Sequence, residues 1–312
     1  MIVLGVSRSG TTLLKAMLDA HSELAVPSES YFIPQLWHRH GARPDRERFV
    51  DDLLRLERIR AWGVDPEDVR CRLPQQPTFA EAVQAIYRSY AESRRKPRFG
   101  DKTPLYMQHL DVLDRAFPDA QYVHIVRDGR DACLSFQAMK RKPRFNLSRP
   151  RGLGDFACAW RREVRDARRF GETRPYLELR YEDLVSEPEA RLREACTFLG
   201  LEYEPAMLEY YRREDPQLYA DHPRLAQPPI RDARDWRRTL DPADTELFEA
   251  IAGDVLSESG YERAYPRPGR RLRARIERAA YAARLALWLR ALPLVRKSPA
   301  WRIRQVYVRR TA

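Results

Sequence analysis

Between a short apolar run at residues 2–6 and a helical pattern starting at Thr11, the sequence reads Gly5-Val6-Ser7-Arg8-Ser9-Gly10-Thr11-Thr12. A strand, a glycine-bearing turn and a helix N-terminus in that order aim backbone N–H groups at a single anion. Beyond the turn, Leu13, Leu14, Met17 and Leu18 share one helical face. The loop follows the G-x-x-x-x-G-K-[ST] spacing at every fixed position but one, since Thr11 stands where the lysine belongs. That lysine would reach the β- and γ-phosphates of a nucleoside triphosphate, so its absence counts against a magnesium- and ATP-dependent kinase of a small molecule or nucleotide. A cation comes instead from inside the loop, as Arg8. No strand-end aspartate reads as a metal ligand, and no metal is expected.

Further along, strand-like runs at residues 23–26, 122–126 and 176–179 alternate with helical patterns at 104–117, after Gly129, and at 189–199 before Gly200. Residues 44–98 are rich in charge and in spaced aromatics, and read as helices that cover the core. This alternation predicts an α/β fold: a P-loop-type, three-layer architecture with a central parallel sheet, helical insertions and a basic helical C-terminal tail.

Three more segments carry chemistry. In Val126-Arg127-Asp128-Gly129-Arg130-Asp131, Arg127 falls at a strand's carboxyl end and Ser135 on the helix that follows, so both can face one anion at the edge where α/β folds bind ligands. The plainer alternative has Asp128 and Asp131 neutralising Arg127 and Arg130 in a surface network. In Phe99-Gly100-Asp101-Lys102-Thr103-Pro104, Lys102 is a candidate second cation, with pairing to Asp101 at a helix start as its alternative. Leu179-Arg180-Tyr181-Glu182-Asp183-Leu184 stands at the end of the strand-like run at 176–179.

Read together, these motifs resemble the PAPS-dependent sulfotransferase superfamily, PAPS being 3′-phosphoadenosine-5′-phosphosulfate. The stretch from Arg8 to Asp19-Ala20-His21 is similar to the protein-tyrosine sulfotransferase branch in particular. The resemblance implies transfer of a sulfuryl group from PAPS to an acceptor hydroxyl. It implies that Arg8, Ser9, Gly10, Thr11 and Thr12 hold the 5′-phosphosulfate, that Arg127 and Ser135 hold the 3′-phosphate, and that Tyr181 lies near the nucleotide. Arg231 to Arg238, around Trp236, resembles the loop that closes over the adenosine 3′-phosphate; several arginines there are equivalent, and Arg234 with Trp236 represents them. Lys102 matches a lysine that approaches the sulfuryl group, and two fixed cations, Arg8 and Lys102, would stabilise charge on the departing bridging oxygen. Where cytosolic relatives carry a histidine base the chain has Pro104. Glu29, twenty-one residues after Arg8, matches the catalytic glutamate of the tyrosine branch. An exposed loop carboxylate is its plain alternative; His21 and His109, both in expected helices, rank below it. A non-catalytic nucleotide-binding protein is the other class of function.

Composition adds one fact of consequence. The formal net charge is +12, and residues 269–312 hold thirteen Lys and Arg against the single acid Glu277, which leaves the other 268 residues neutral. A nucleic-acid binder is therefore not expected, and the chain divides into a sulfotransferase domain, 1–268, and a basic tail, 269–312. The tail reads as two amphipathic helices broken at Pro293 and Pro299, with Trp288, Leu289, Leu292, Trp301, Ile303 and Val306 among arginines. An anionic membrane surface suits it, as do docking on the enzyme body and an acidic protein partner. No leader and no apolar stretch near the ~20 residues of a membrane span is evident. Four dispersed cysteines point to a reducing compartment, so a cytoplasmic protein, peripheral at the membrane, is expected. A glycan, a glycolipid, a phenol, another small molecule and a peptidyl tyrosine are all compatible acceptors.

Overall fold

In the computed structural model, the described residues are 1–139, 150–213, 222–229 and 235–297. The strands are β1 (Ile2–Leu4), β2 (Leu24–Ala25), β3 (Arg98–Phe99), β4 (Asp101–Lys102), β5 (Tyr122–Val126) and β6 (Tyr176–Arg180). The helices are α1 (Thr11–Asp19), α2 (Phe32–His40), α3 (Arg46–Leu54), α4 (Glu57–Arg60), α5 (Pro66–Arg72), α6 (Phe79–Ser93), α7 (Leu110–Ala116), α8 (Gly129–Gln137), α9 (Leu153–Gly171), α10 (Tyr181–Ser186) and α11 (Pro188–Leu199). Three more follow: α12 (Trp236–Thr239), α13 (Pro242–Glu258) and α14 (Arg271–Lys297).

A parallel four-stranded sheet in the order β4-β1-β5-β6 forms the centre, and β2 pairs in parallel with β3 in a separate two-stranded sheet. Strand side chains alternate between faces, and the core divides accordingly. Ile2, Leu4 and Tyr122 join the cluster built with α2, α3, α6 and α7, whereas Val3, Val123 and Ile125 join the one built with α1, α10 and α11. Helices thus cover both faces, and the expected α/β sandwich with its parallel sheet is what the chain forms. Continuous apolar strands are the signature of that burial on two sides.

Residues 44–98 are helical from α3 to α6, as read from the sequence. The longest of them, α6, starts on a capping box in which Thr78 Oγ1 accepts from Glu81 N while the Glu81 carboxylate accepts from Thr78 N. Gly200 ends α11 at φ 65°, a left-handed conformation that favours glycine. The single helix expected over 104–117 is two pieces, a 3₁₀ turn at Pro104–Gln108 and then α7. His109, at φ −143° and ψ 38°, interrupts them, because the Pro104 turn is already closed by Tyr106 N donating to Thr103 O. His21 likewise lies past the end of α1, where its ring bonds to Glu202 O at 2.7 Å.

The chain forms two compact units, Met1–Ala132 with Glu163–Asp235, and Cys133–Arg162 with Trp236–Ala312. Both sheets lie in the first. In the second, α13 buries Leu247, Phe248, Ile251, Val255 and Leu256, Trp160 packs on Phe248, and Arg161 forks onto Asp254 at 2.6–3.0 Å. The helix α14 also belongs to this unit and packs on α13. A break was expected at Pro293, yet α14 continues through it to Lys297. The carbonyl that Pro293 deprives of a donor is that of Leu289, a 58% exposed residue, so water can satisfy it. The expected second tail helix beyond Pro299 lies outside the described residues.

Candidate active site

Register sets the site. Val3 pairs with Lys102 and Leu4 with His124, while Val126 pairs with Arg180. The residues that follow these strand ends, Gly5, Thr103, Arg127 and Tyr181, therefore emerge along one carboxyl edge of the sheet.

At the centre of that edge the loop after β1 turns tightly. Ser9 N donates to Val6 O at 3.0 Å, and Arg8 and Gly10 have φ of 77° and 92°. Among the described residues, Arg8 is one of three non-glycine residues with positive φ, a conformation that clusters at functional sites. The helix that starts here, α1, has no side-chain cap and no acidic residue in its first turn. Its first N–H groups and its positive dipole end are directed at whatever the loop holds. Ser9 is fully buried, and its hydroxyl has no hydrogen-bond partner among the described residues. Neither glycine tolerates a side chain. A Cβ at Gly5 would fall 2.6 Å from Thr11 Cγ2, and one at Gly10 would fall 2.2 Å from the Tyr181 ring.

Tyr181 is thereby the lid of the loop, and Arg127 lies against it. The Arg127 guanidinium stands 4.4 Å from the ring centroid and donates to Arg8 O at 3.5 Å. Sequence reasoning left open a network in which two aspartates neutralise both arginines. The structure divides them: Asp128 takes buried Arg130 through bonds of 2.7 and 2.9 Å, and Arg127 is directed at the loop.

The catalytic candidates meet beside the loop. Lys102 is 3% exposed on its side chain; its Nζ donates to Thr12 Oγ1 at 3.2 Å and forms a short ion pair with Glu29 Oε1. Burial holds the Lys102 ammonium below the ordinary lysine range, against the opposing pull of Glu29. The helix-start pairing with Asp101 does not occur, because both residues lie in β4. Asp101 accepts from Tyr87 Oη at 2.6 Å, and burial pushes its carboxyl up to about 6.

Glu29 sits four residues past β2 on a segment tethered at several points. Trp62 Nε1 donates to Ser28 O and Oγ at 3.1 and 3.2 Å, and Arg58 donates to Glu29 O at 3.1 Å. Tyr31, at φ 59°, bonds His109 Nε2 at 2.9 Å through its hydroxyl. Glu29 is 38% exposed, so an acceptor can reach it. Trp62 and Arg58 escaped the sequence reading. Their partners lie 29–34 positions away, which leaves no motif. Tyr87 escaped because its partner, the Asp101 carboxylate, lies 14 positions away with no motif joining the two.

Arg8, Ser9, Gly10, Thr11, Thr12, Arg127, Tyr181, Lys102 and Glu29 thus come together within the first unit. Ser135 is buried in α8, and Trp236 opens α12 with the Arg237 guanidinium 4.7 Å from its ring; both belong to the second unit. Arg234 lies outside the described residues.

The model of a family described as "Sulfotransferase family" matches residues 1–205. A protein-tyrosine sulfotransferase 1 from Danio rerio is 30% identical over 217 residues, covering 66% of this chain and 54% of the relative. An omega-hydroxy-beta-dihydromenaquinone-9 sulfotransferase from Mycobacterium bovis is 25% identical over 273 residues, covering 82% and 63%. Among solved structures, the sulfotransferase domain of a Synechococcus olefin synthase superposes with a TM-score of 0.56 at 26% identity, covering 84% of this chain and 94% of that domain. The chain spans about half the length of the tyrosine-modifying relatives it matches.

Proposed function

Because the chain belongs to the sulfotransferase family, we propose that it transfers the sulfuryl group of PAPS to an acceptor hydroxyl, with Glu29 as base and Lys102 and Arg8 as electrostatic catalysts. One observation carries this reading: the buried Lys102 ammonium bridges Thr12 of the anion loop and the Glu29 carboxylate. The loop cradles the 5′-phosphosulfate on the N–H groups of Ser9, Gly10, Thr11 and Thr12, and Arg127 takes the 3′-phosphate. Glu29 accepts the hydroxyl proton as the acceptor oxygen bonds to sulfur. The bond from sulfur to the bridging 5′-phosphate oxygen breaks, and Lys102 shifts its hydrogen bond to that oxygen as its charge grows. Adenosine 3′,5′-bisphosphate and the sulfated acceptor leave.

The neutral body and the basic tail support an enzyme at the cytoplasmic face of an anionic membrane rather than a nucleic-acid binder. A lipid-linked hydroxyl is the acceptor class that this position favours. The test is thermal unfolding followed by transfer. Adenosine 3′,5′-bisphosphate at about a hundred times its Kd should add about 2.7 kcal/mol of stability, and ATP with magnesium should add nothing comparable. Labelled PAPS should then pass its label to a lipid extract. The reverse ligand preference would replace this reading with a kinase.

A further inference from the structure

Helix α14 is apolar on two opposite sides, and its own unit covers one of them. Ala274, Tyr281 and Trp288 are buried there. Arg284 closes that side through a 2.8 Å ion pair to Asp155, with both side chains at least nine-tenths buried. The only acid of the helix, Glu277, also turns inward, against Gly154.

At about 100° per residue, Leu272, Ile276, Ala279, Ala283 and Leu287 fall in an arc of roughly 80° on the opposite side. All five are exposed, Leu272, Ile276 and Leu287 by 70, 60 and 59%. They include three of the five large exposed hydrophobic residues in the described part of the chain. Exposed Arg273 borders the stripe on one side, Arg271 and Arg275 lie on the other, and Arg290 stands at its end. Among the described residues no helix is long and apolar enough to cross a membrane.

We propose that this stripe is the surface on which the protein lies against an anionic lipid bilayer. The axis of α14 is parallel to the membrane, Leu272, Ile276 and Leu287 enter the acyl boundary, and the four arginines lie at headgroup level. The proposal rests on the reading of the basic tail as a membrane-facing element, and names the side that makes contact. Charge selects the occupant. A second copy would bring the same arginine rim, and residues 298–312 carry four more arginines and no acid, so both self-occupants are repelled. A convex stripe of Leu, Ile and Ala with a cationic border matches the apolar depth and negative surface of such a bilayer.

The experiment is co-sedimentation with phosphatidylcholine vesicles, with and without about 30 mol % phosphatidylserine, an anionic lipid. Three proteins are compared: the wild type, the triple variant Leu272→Gln, Ile276→Gln, Leu287→Gln, and the quadruple variant Arg271→Gln, Arg273→Gln, Arg275→Gln, Arg290→Gln. All substituted positions are exposed, and stabilisation by adenosine 3′,5′-bisphosphate serves as the check that each variant folds. The triple variant should partition at least about 30-fold more weakly, since binding scales with buried apolar area, and the quadruple variant on the order of 10³-fold more weakly. The quadruple variant should also lose the preference for phosphatidylserine. Undiminished binding of the triple variant, with binding lost in the quadruple variant, would overturn this stripe and leave the tail reading standing. No binding by the wild type would overturn both. A wild-type dimer that the triple substitution converts to monomer would make the stripe an interface between copies and overturn the lipid assignment.

Discussion

The anion loop and the Lys102–Glu29 pair touch through a single hydrogen bond at Thr12, yet they are built differently. The loop is eight contiguous residues, with glycines at the two positions where Thr11, Ile125 and Tyr181 approach too closely for a side chain. The pair joins side chains 73 positions apart, and the Glu29 segment is held by Trp62 and Arg58 from an insertion with no phosphate chemistry of its own. A site of this kind separates binding from turnover. On the proposed reading, the donor is held by local geometry, and proton transfer depends on how distant elements pack.

The sharpest way to break that contrast is Glu29→Gln, which keeps size and polarity but removes the proton acceptor. Turnover should fall by about 10²- to 10⁴-fold, and calorimetric affinity for adenosine 3′,5′-bisphosphate should stay within about twofold. A variant retaining more than about a third of wild-type turnover would move the base elsewhere and erase the distinction. His109, bonded to Tyr31 in this fold, would then be the first residue to examine.

The converse test is Gly10→Ala. Its methyl would meet the Tyr181 ring at 2.2 Å, at a φ of 92° that costs an L-residue about 1–2 kcal/mol. Donor affinity should weaken by about tenfold or more, and turnover at saturating PAPS should change far less. Equal affinity for wild type and variant would show that the loop does not cradle the donor.

The smallest expected effect belongs to Trp62→Phe, which keeps the ring and deletes the N–H to Ser28. One neutral hydrogen bond contributes about 0.5–1.5 kcal/mol, so turnover should drop about three- to tenfold with donor affinity unchanged. A loss of thermal stability with normal turnover would show that Trp62 supports the fold without positioning Glu29.

How much of this was legible in the sequence follows the same division. Strand β5, the loop before α1 and the Gly200 helix end were readable because each is a local pattern of a few residues. The approach of Lys102 to the loop was expected only through the resemblance, since nothing in the spacing of residues 8 and 102 brings them together. The 104–117 segment misled because its apolar spacing is helical throughout, and the break at His109 comes from the turn closing ahead of it. Pro293 misled in the other direction. A proline near the exposed end of a helix costs little when water can take the carbonyl it abandons, and the sequence does not say which carbonyls are exposed.

The sequence by itself determined the architecture and the donor loop, because hydrophobic periodicity, glycine placement and the strand-to-helix order act over spans of ten residues or fewer. It also determined that the charge excess lies in residues 269–312. Tertiary structure alone decided that Arg130 belongs to Asp128 and Arg127 faces the loop, that a half-exposed Glu29 meets Lys102, and that α14 turns its acid inward and a row of leucine, isoleucine and alanine outward. These outcomes depend on which groups lose water to one another. Burial of that kind is a property of the packed chain and is written in no local stretch of it.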